Sequence, residues 1–194
     1  MPEHAEIWKK LKSWWLAENK GNTPNWDIAL SCDIKGKPGL VLVEAKAHVK
    51  ELDERGKGDP NEDSEGSKAN HDKIVAAIAE ARAALEQREC ELGSKISHER
   101  SYQLANRIAF AWKLASEGIP TVLVYLGFIG DKEIADIGKP FSSDAQWHKL
   151  FRSHLQLPES DKPVEVECKT GAESFWVLSR TRPAVSTPAI PVTA

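Results

Sequence analysis

The chain has 194 residues, 41% of them hydrophobic and 28% charged, and a formal net charge of −3. This composition fits a globular protein with room for a core. The slight acidity excludes one that coats nucleic acid by overall charge, though not one with a local basic groove. The three cysteines, Cys32, Cys90 and Cys168, have no metal-ligand spacing and predict a reducing compartment without a disulfide framework. No apolar run reaches membrane-spanning length and no secretory signal opens the chain, so the expected location is the cytoplasm, with no membrane contact.

The first predicted element is a helix over 3–17. Pro2 suits its first turn, and Ile7, Leu11, Trp14 and Trp15 form an apolar stripe. Glu3 and Glu6 suit the positive end of its dipole. Glu6 has a second reading, as an acid reaching a site from an N-terminal helix.

Residues 26–34 alternate strictly, with Trp26, Ile28, Leu30, Cys32 and Ile34 on one side and Asp27, Ala29, Ser31 and Asp33 on the other. Such alternation predicts a strand with one face in a core. Lys35-Gly36-Lys37-Pro38 marks a turn, and residues 40–47, apolar until Glu44, predict a second strand covered on both faces. A four-residue loop would set Ile34 opposite Gly39 and Asp27 opposite Lys46. Asp27 and Glu44 then become diagonal neighbours roughly 7–8 Å apart, on one face with Lys46. Asp33 would lie roughly 13 Å from Glu44 and reads as a turn-flanking acid. A solvated pair at a strand end is the plainer reading of Glu44 and Lys46. Against it stand the core-like run before Glu44 and the third charge, Asp27, on the same face: buried charges need partners.

Residues 50–69 carry no apolar period and predict a long loop, either a lid or a flexible insertion. His48, just before it, continues the charged face and is a candidate substrate contact, or simply a structural histidine. A helix is predicted over 70–92, capped by Asn70, and another over about 99–116, ended by Gly118 and Pro120. Gln103 and Arg107 share a face of the latter, suited to phosphate contacts; a salt bridge to Glu99 is the alternative for Arg107. Residues 121–126 predict a central strand buried on both faces, reached by a crossover. Ser143 and Gln146 predict a capping box opening a helix with Trp147, Leu150, Phe151 and Leu155 inward. Val164 to Lys169 reads as a solvated edge strand, and 174–180 as the last strand. Residues 1–181 thus form one expected α/β domain, and the proline-rich 182–194 a disordered tail.

An Asp followed by Glu-x-Lys on the next strand resembles the signature of the PD-(D/E)xK nuclease superfamily, with its restriction-endonuclease-like fold. Here the pieces are Asp27 and Glu44-Ala45-Lys46, and Pro24 stands three residues before Asp27. A second Glu-x-Lys, Glu167-Cys168-Lys169, has no acid on a paired upstream strand and is set aside. The order helix, hairpin, helix, strand is similar to the superfamily core over about residues 1–130. Gln103 resembles the Gln of the helix motif in the RecB-like exonuclease branch, where a Tyr usually stands in place of Arg107.

The resemblance implies a three-layer α/β/α core whose mixed sheet carries the site on an antiparallel hairpin. It implies a metal-dependent nuclease acting on nucleic acid, DNA ahead of RNA, with a homodimer as one arrangement. Asp27, Glu44 and the carbonyl of Ala45 would hold Mg²⁺, or Mn²⁺. Asp27, Glu44 and Lys46 would be catalytic, and Gln103, Arg107 and His48 would bind substrate. The alternative is a catalytically silent binding or partner module on the same fold.

Overall fold

The computed structural model describes residues 2–17, 21–52, 55, 56, 58 and 65–185. Its elements run α1 (Pro2–Trp15), β1 (Ile28–Ile34), β2 (Lys37–Lys46), α2 (Glu65–Gln87), α3 (Tyr102–Ser116), β3 (Thr121–Ile129), α4 (Asp144–His154), β4 (Glu165–Lys169) and β5 (Ser174–Pro183). The strands form one mixed sheet in the order β1-β2-β3-β5-β4. β1–β2 and β4–β5 are antiparallel, while β2–β3 and β3–β5 are parallel. The crossover from β2 to β3 carries α2 and α3, as a parallel connection requires.

The hairpin turn has two residues, not four. Lys35 and Gly36 both take positive φ, 53° and 82°, the pairing that suits the twist of a tight hairpin. Ile34 therefore faces Lys37 and Ile28 faces Val43, two residues out from the expected register. A shift of two preserves side-chain parity, so the face assignments within the paired strands survive. Pro38 is tolerated inside β2 because its nitrogen points toward β3 before that strand begins at Thr121, opposite Leu40.

Both helices laid on the sheet lie on one face. The paired side chains Leu42, Leu123, Phe175 and Val177 point to that face and are at most 3% exposed. Arg107 of α3 reaches Glu44 there, and Phe151 of α4 stacks on Tyr125 at 4.6 Å. Gly127 makes the approach of α4 possible, since a Cβ there would fall 2.5 Å from the Trp147 ring. On α3 in turn pack α1 and α2, with Trp15 against Phe110 at 4.8 Å. The α3 helix is buried almost all round, from Leu104 to Ala115.

The opposite sheet face has no helix among the described residues. The second helical layer expected of a three-layer arrangement is absent there. The alternation assigned Ile28 and Leu30 to a core; they are 45% and 55% exposed. Val41, Val122, Val124 and Leu126, expected to be fully covered, are only half-buried. Periodicity identified the apolar side of the hairpin, but the helices settled on the other.

Other expectations shift locally. The α2 helix starts at Glu65, inside the predicted loop, so Asn70 is not its cap; the Asn70 side chain instead accepts the Ala17 N–H at 2.9 Å. A 3₁₀ turn, Val49–Glu51, also falls in that region, and residues 53, 54, 57 and 59–64 lie outside the described residues. The β5 strand continues through Pro183, into the expected tail, and 186–194 lie outside the described residues. Cys90 and Cys168, 78 positions apart in sequence, form a disulfide with Cα atoms 5.5 Å apart. This corrects the expectation of no disulfide, and the argument for a reducing compartment loses its basis. Cys168 faces inward from the edge strand β4, which brings it to the turn after α2. Among the described residues, no helix is long and apolar enough to cross a membrane.

Candidate active site

The site lies where β2 outruns β1. Asp27 stands just before the first residue of β1, and its N–H donates to the Val43 carbonyl at 3.1 Å. Its Oδ2 accepts the Ala45 N–H at 2.7 Å. The regular ladder ends at Ile28 opposite Val43, so the Asp27 N–H on that same Val43 carbonyl sets Asp27 just past the ladder, with its carboxylate beside the backbone of Ala45. Within a strand the N–H and C=O of one residue point the same way, so the Ala45 carbonyl also opens toward Asp27, past the end of β1.

Glu44 and Lys46 lie two residues apart on the helix-covered face and are 6% and 8% exposed. Lys46 Nζ donates to Glu44 Oε1 at 2.7 Å and to Gln103 Oε1 at 3.3 Å. Glu44 Oε2 accepts from Arg107 Nε at 2.8 Å. Arg107 then spends its other nitrogens on Asn106 Oδ1 at 2.8 Å and the Asn25 carbonyl at 2.7 Å. Its guanidinium lies over the Trp26 ring, 4.8 Å from the centroid. The four charges of Asp27, Glu44, Lys46 and Arg107 cancel. Asp27 alone among them is exposed, with one carboxylate oxygen beyond its bond to Ala45.

Tyr125 completes the floor. It pairs with Glu44 across β2–β3, is fully buried, and its hydroxyl has no partner among the described residues. Burial, and then the charge of Glu44, push its pKa well above the ordinary phenol value. The Tyr125 hydroxyl therefore keeps its proton at any working pH.

Four of the predicted residues, Glu44, Lys46, Gln103 and Arg107, join in one network, and a fifth, Asp27, bonds to a sixth, Ala45, beside it. Arg107 pairs with Glu44, not with Glu99. His48 does not join them. Its ring packs against Gly138, and the nearby Glu51 carboxylate accepts the Ala47 and His48 N–H groups at 2.6 and 3.1 Å. Glu6 pairs with Lys9 at 3.0 Å on the surface, which leaves the dipole reading. Asp33 accepts the Gly36 N–H at 2.8 Å, the turn role expected. In the set-aside motif, Glu167 and Lys169 are exposed and Cys168 is in the disulfide. Sequence reasoning missed Trp26, Asn25 and Tyr125. Trp26 was counted with the apolar side of the hairpin; its place next to Asp27 was the one available signal.

The donors fit a hard divalent cation in kind: two carboxylates and a carbonyl, all oxygen. Among the described residues no group of three or more His, Cys, Asp or Glu is gathered to hold one, and both oxygens of Glu44 already face cations. Compared with family models, curated proteins and solved structures, the chain finds no match.

Proposed function

We propose that this chain is a divalent-metal-dependent nuclease that hydrolyses phosphodiesters of nucleic acid, DNA in the first instance, at a site on the antiparallel hairpin of its mixed sheet. The observation that carries the reading is the buried Glu44–Lys46 pair with an exposed Asp27 bonded to the N–H of Ala45, the residue between them, at the open end of β2. A buried ion pair seldom adds net stability, and a third charge beside it adds none that packing needs. Chemistry at a phosphate uses all three.

In this reading Asp27, Glu44 and the Ala45 carbonyl hold Mg²⁺, with Mn²⁺ as a substitute. The ion supplies charge stabilisation for the transition state and a more acidic bound water. Lys46, oriented by Gln103, would hold its proton toward the attacking water. Arg107 and Gln103 present their donors from one turn of α3, and the Trp26 face fixes the plane of the guanidinium. The site lies at a strand end on the surface, where a duplex or a single strand can approach. A homodimer would let two such sites act on two strands.

The second reading is a binding module on the same scaffold that does not cleave. It draws on the saturation of Glu44 by Lys46 and Arg107 and on the small number of acids. Calorimetric titration with Mg²⁺ and Mn²⁺, on wild type and Glu44→Ala, separates the two when run beside a cleavage assay on mixed single- and double-stranded DNA. Metal binding lost in the variant, together with metal-dependent cleavage, supports the nuclease. Nucleic-acid binding without metal binding or cleavage supports the module and rejects the nuclease.

A further inference from the structure

We propose that Arg107 is a latch on Glu44, released when a phosphate group of the substrate takes its guanidinium, so that metal and nucleic acid enter the site together. The proposal rests on the nuclease reading and adds to it an order of assembly.

The argument starts from charge. Asp27 and Glu44 are balanced by Lys46 and Arg107, and three of the four are buried. A divalent cation arriving alone would leave a largely buried site doubly positive, with Arg107 Nε already 2.8 Å from the oxygen it must approach. A phosphodiester that arrives with it returns negative charge to the site. Of the two cations, Arg107 is the one built to exchange partners. Lys46 is a point charge two residues along the same strand and cannot leave Glu44 far behind. Arg107 stands on a separate element, and its planar fork matches two phosphate oxygens as well as it matches a carboxylate. The Trp26 ring under the guanidinium gives it a surface to turn on without losing contact. The Asn25 carbonyl and Asn106 Oδ1, which take its two terminal nitrogens in the closed state, fix where it waits.

Coupling of this kind is reciprocal: if the phosphodiester strengthens metal binding, metal strengthens phosphodiester binding by the same factor. The experiment is calorimetric titration of Mn²⁺ into wild type and Arg107→Gln, each alone and with a phosphorothioate DNA duplex that resists cleavage. For wild type, the duplex is expected to tighten Mn²⁺ binding by about tenfold or more, within the usual range of such couplings. Without duplex, Arg107→Gln is expected to bind Mn²⁺ more tightly than wild type does, and to respond less to the duplex. Equal Mn²⁺ affinity in the two proteins without duplex overturns the latch and leaves the nuclease reading standing. Should Arg107→Gln fail to fold, the wild-type titration decides alone, and a Mn²⁺ affinity indifferent to the duplex overturns the latch. No Mn²⁺ binding by either protein under any condition overturns the nuclease reading, and the latch with it.

Discussion

Asp27 and Glu44 differ in surroundings, and so in what their loss should do. Glu44 is the carboxylate that two buried cations, Lys46 and Arg107, both contact. Glu44→Ala should therefore destabilise by about 3–5 kcal/mol, because Lys46 and Arg107 are left without a counter-charge. Asp27 is exposed, and Asp27→Asn keeps an oxygen for the Ala45 N–H, so stability should change by less than about 1 kcal/mol. Metal binding should vanish in both. Urea unfolding beside metal titration checks the pair; a strongly destabilised Asp27→Asn would mean that Asp27 serves the fold. These two residues and Lys46 were legible because alternation is local and parity survives a two-residue slip. Trp26 and Asn25 were not, because they meet Arg107 across more than eighty positions, a distance no local pattern reports.

Among elements, the joint between α4 and β5 has its own pH dependence. His148 Nδ1 lies 2.8 Å from Ser179 Oγ, which also accepts the Val164 N–H at 2.8 Å. That leaves the hydroxyl proton for the ring nitrogen, an arrangement a neutral imidazole uses. Burial lowers the His148 pKa below its ordinary 6.5, against the opposing pull of Asp144, and Arg180 and Arg152 push the same way. Below pH 6.5 the unfolded chain takes up a proton that the folded one refuses, so stability should fall as pH drops from 6.5 toward the folded pKa. Melting temperatures between pH 5 and 7 should decline with acidity, and less steeply in His148→Gln; identical slopes would reject the assignment. At this scale the sequence read well for element type and order. It misjudged the hairpin register because Gly36, Pro38 and Gly39 spread turn formers along the whole stretch. Of the deciding facts, positive φ at Lys35 is rare outside glycine, and the idle nitrogen at Pro38 depends on where β3 begins.

For the whole molecule, the finding with most reach is the sheet's uncovered face. Leu30 and Leu123 are both strand leucines, yet Leu123 is fully buried and Leu30 is more than half exposed. Leu123→Ala should cost about 2–5 kcal/mol, whereas Leu30→Ser should stay within about 0.5 kcal/mol. Equal costs in denaturant unfolding would mean that something covers Leu30 in solution. Which face the helices take was not legible, because both faces of β2 and β3 are apolar and the alternation of β1 favoured the face left open. The disulfide was hidden for a related reason: Cys90 and Cys168 approach only once β4 is in place at the sheet edge.

The burial of α3 has a consequence in time. Helices usually keep one side in water, where hydrogen bonds open by local fraying. From Leu104 to Ala115 this one has almost no such side, so its amide hydrogens should exchange with deuterium only when the whole domain opens. Gln103 and Arg107 ride on its first two turns. The side chains that would meet a substrate are therefore anchored to the slowest-exchanging part of the chain, and any movement of Arg107 has to be a rotation of its own side chain with the helix at rest.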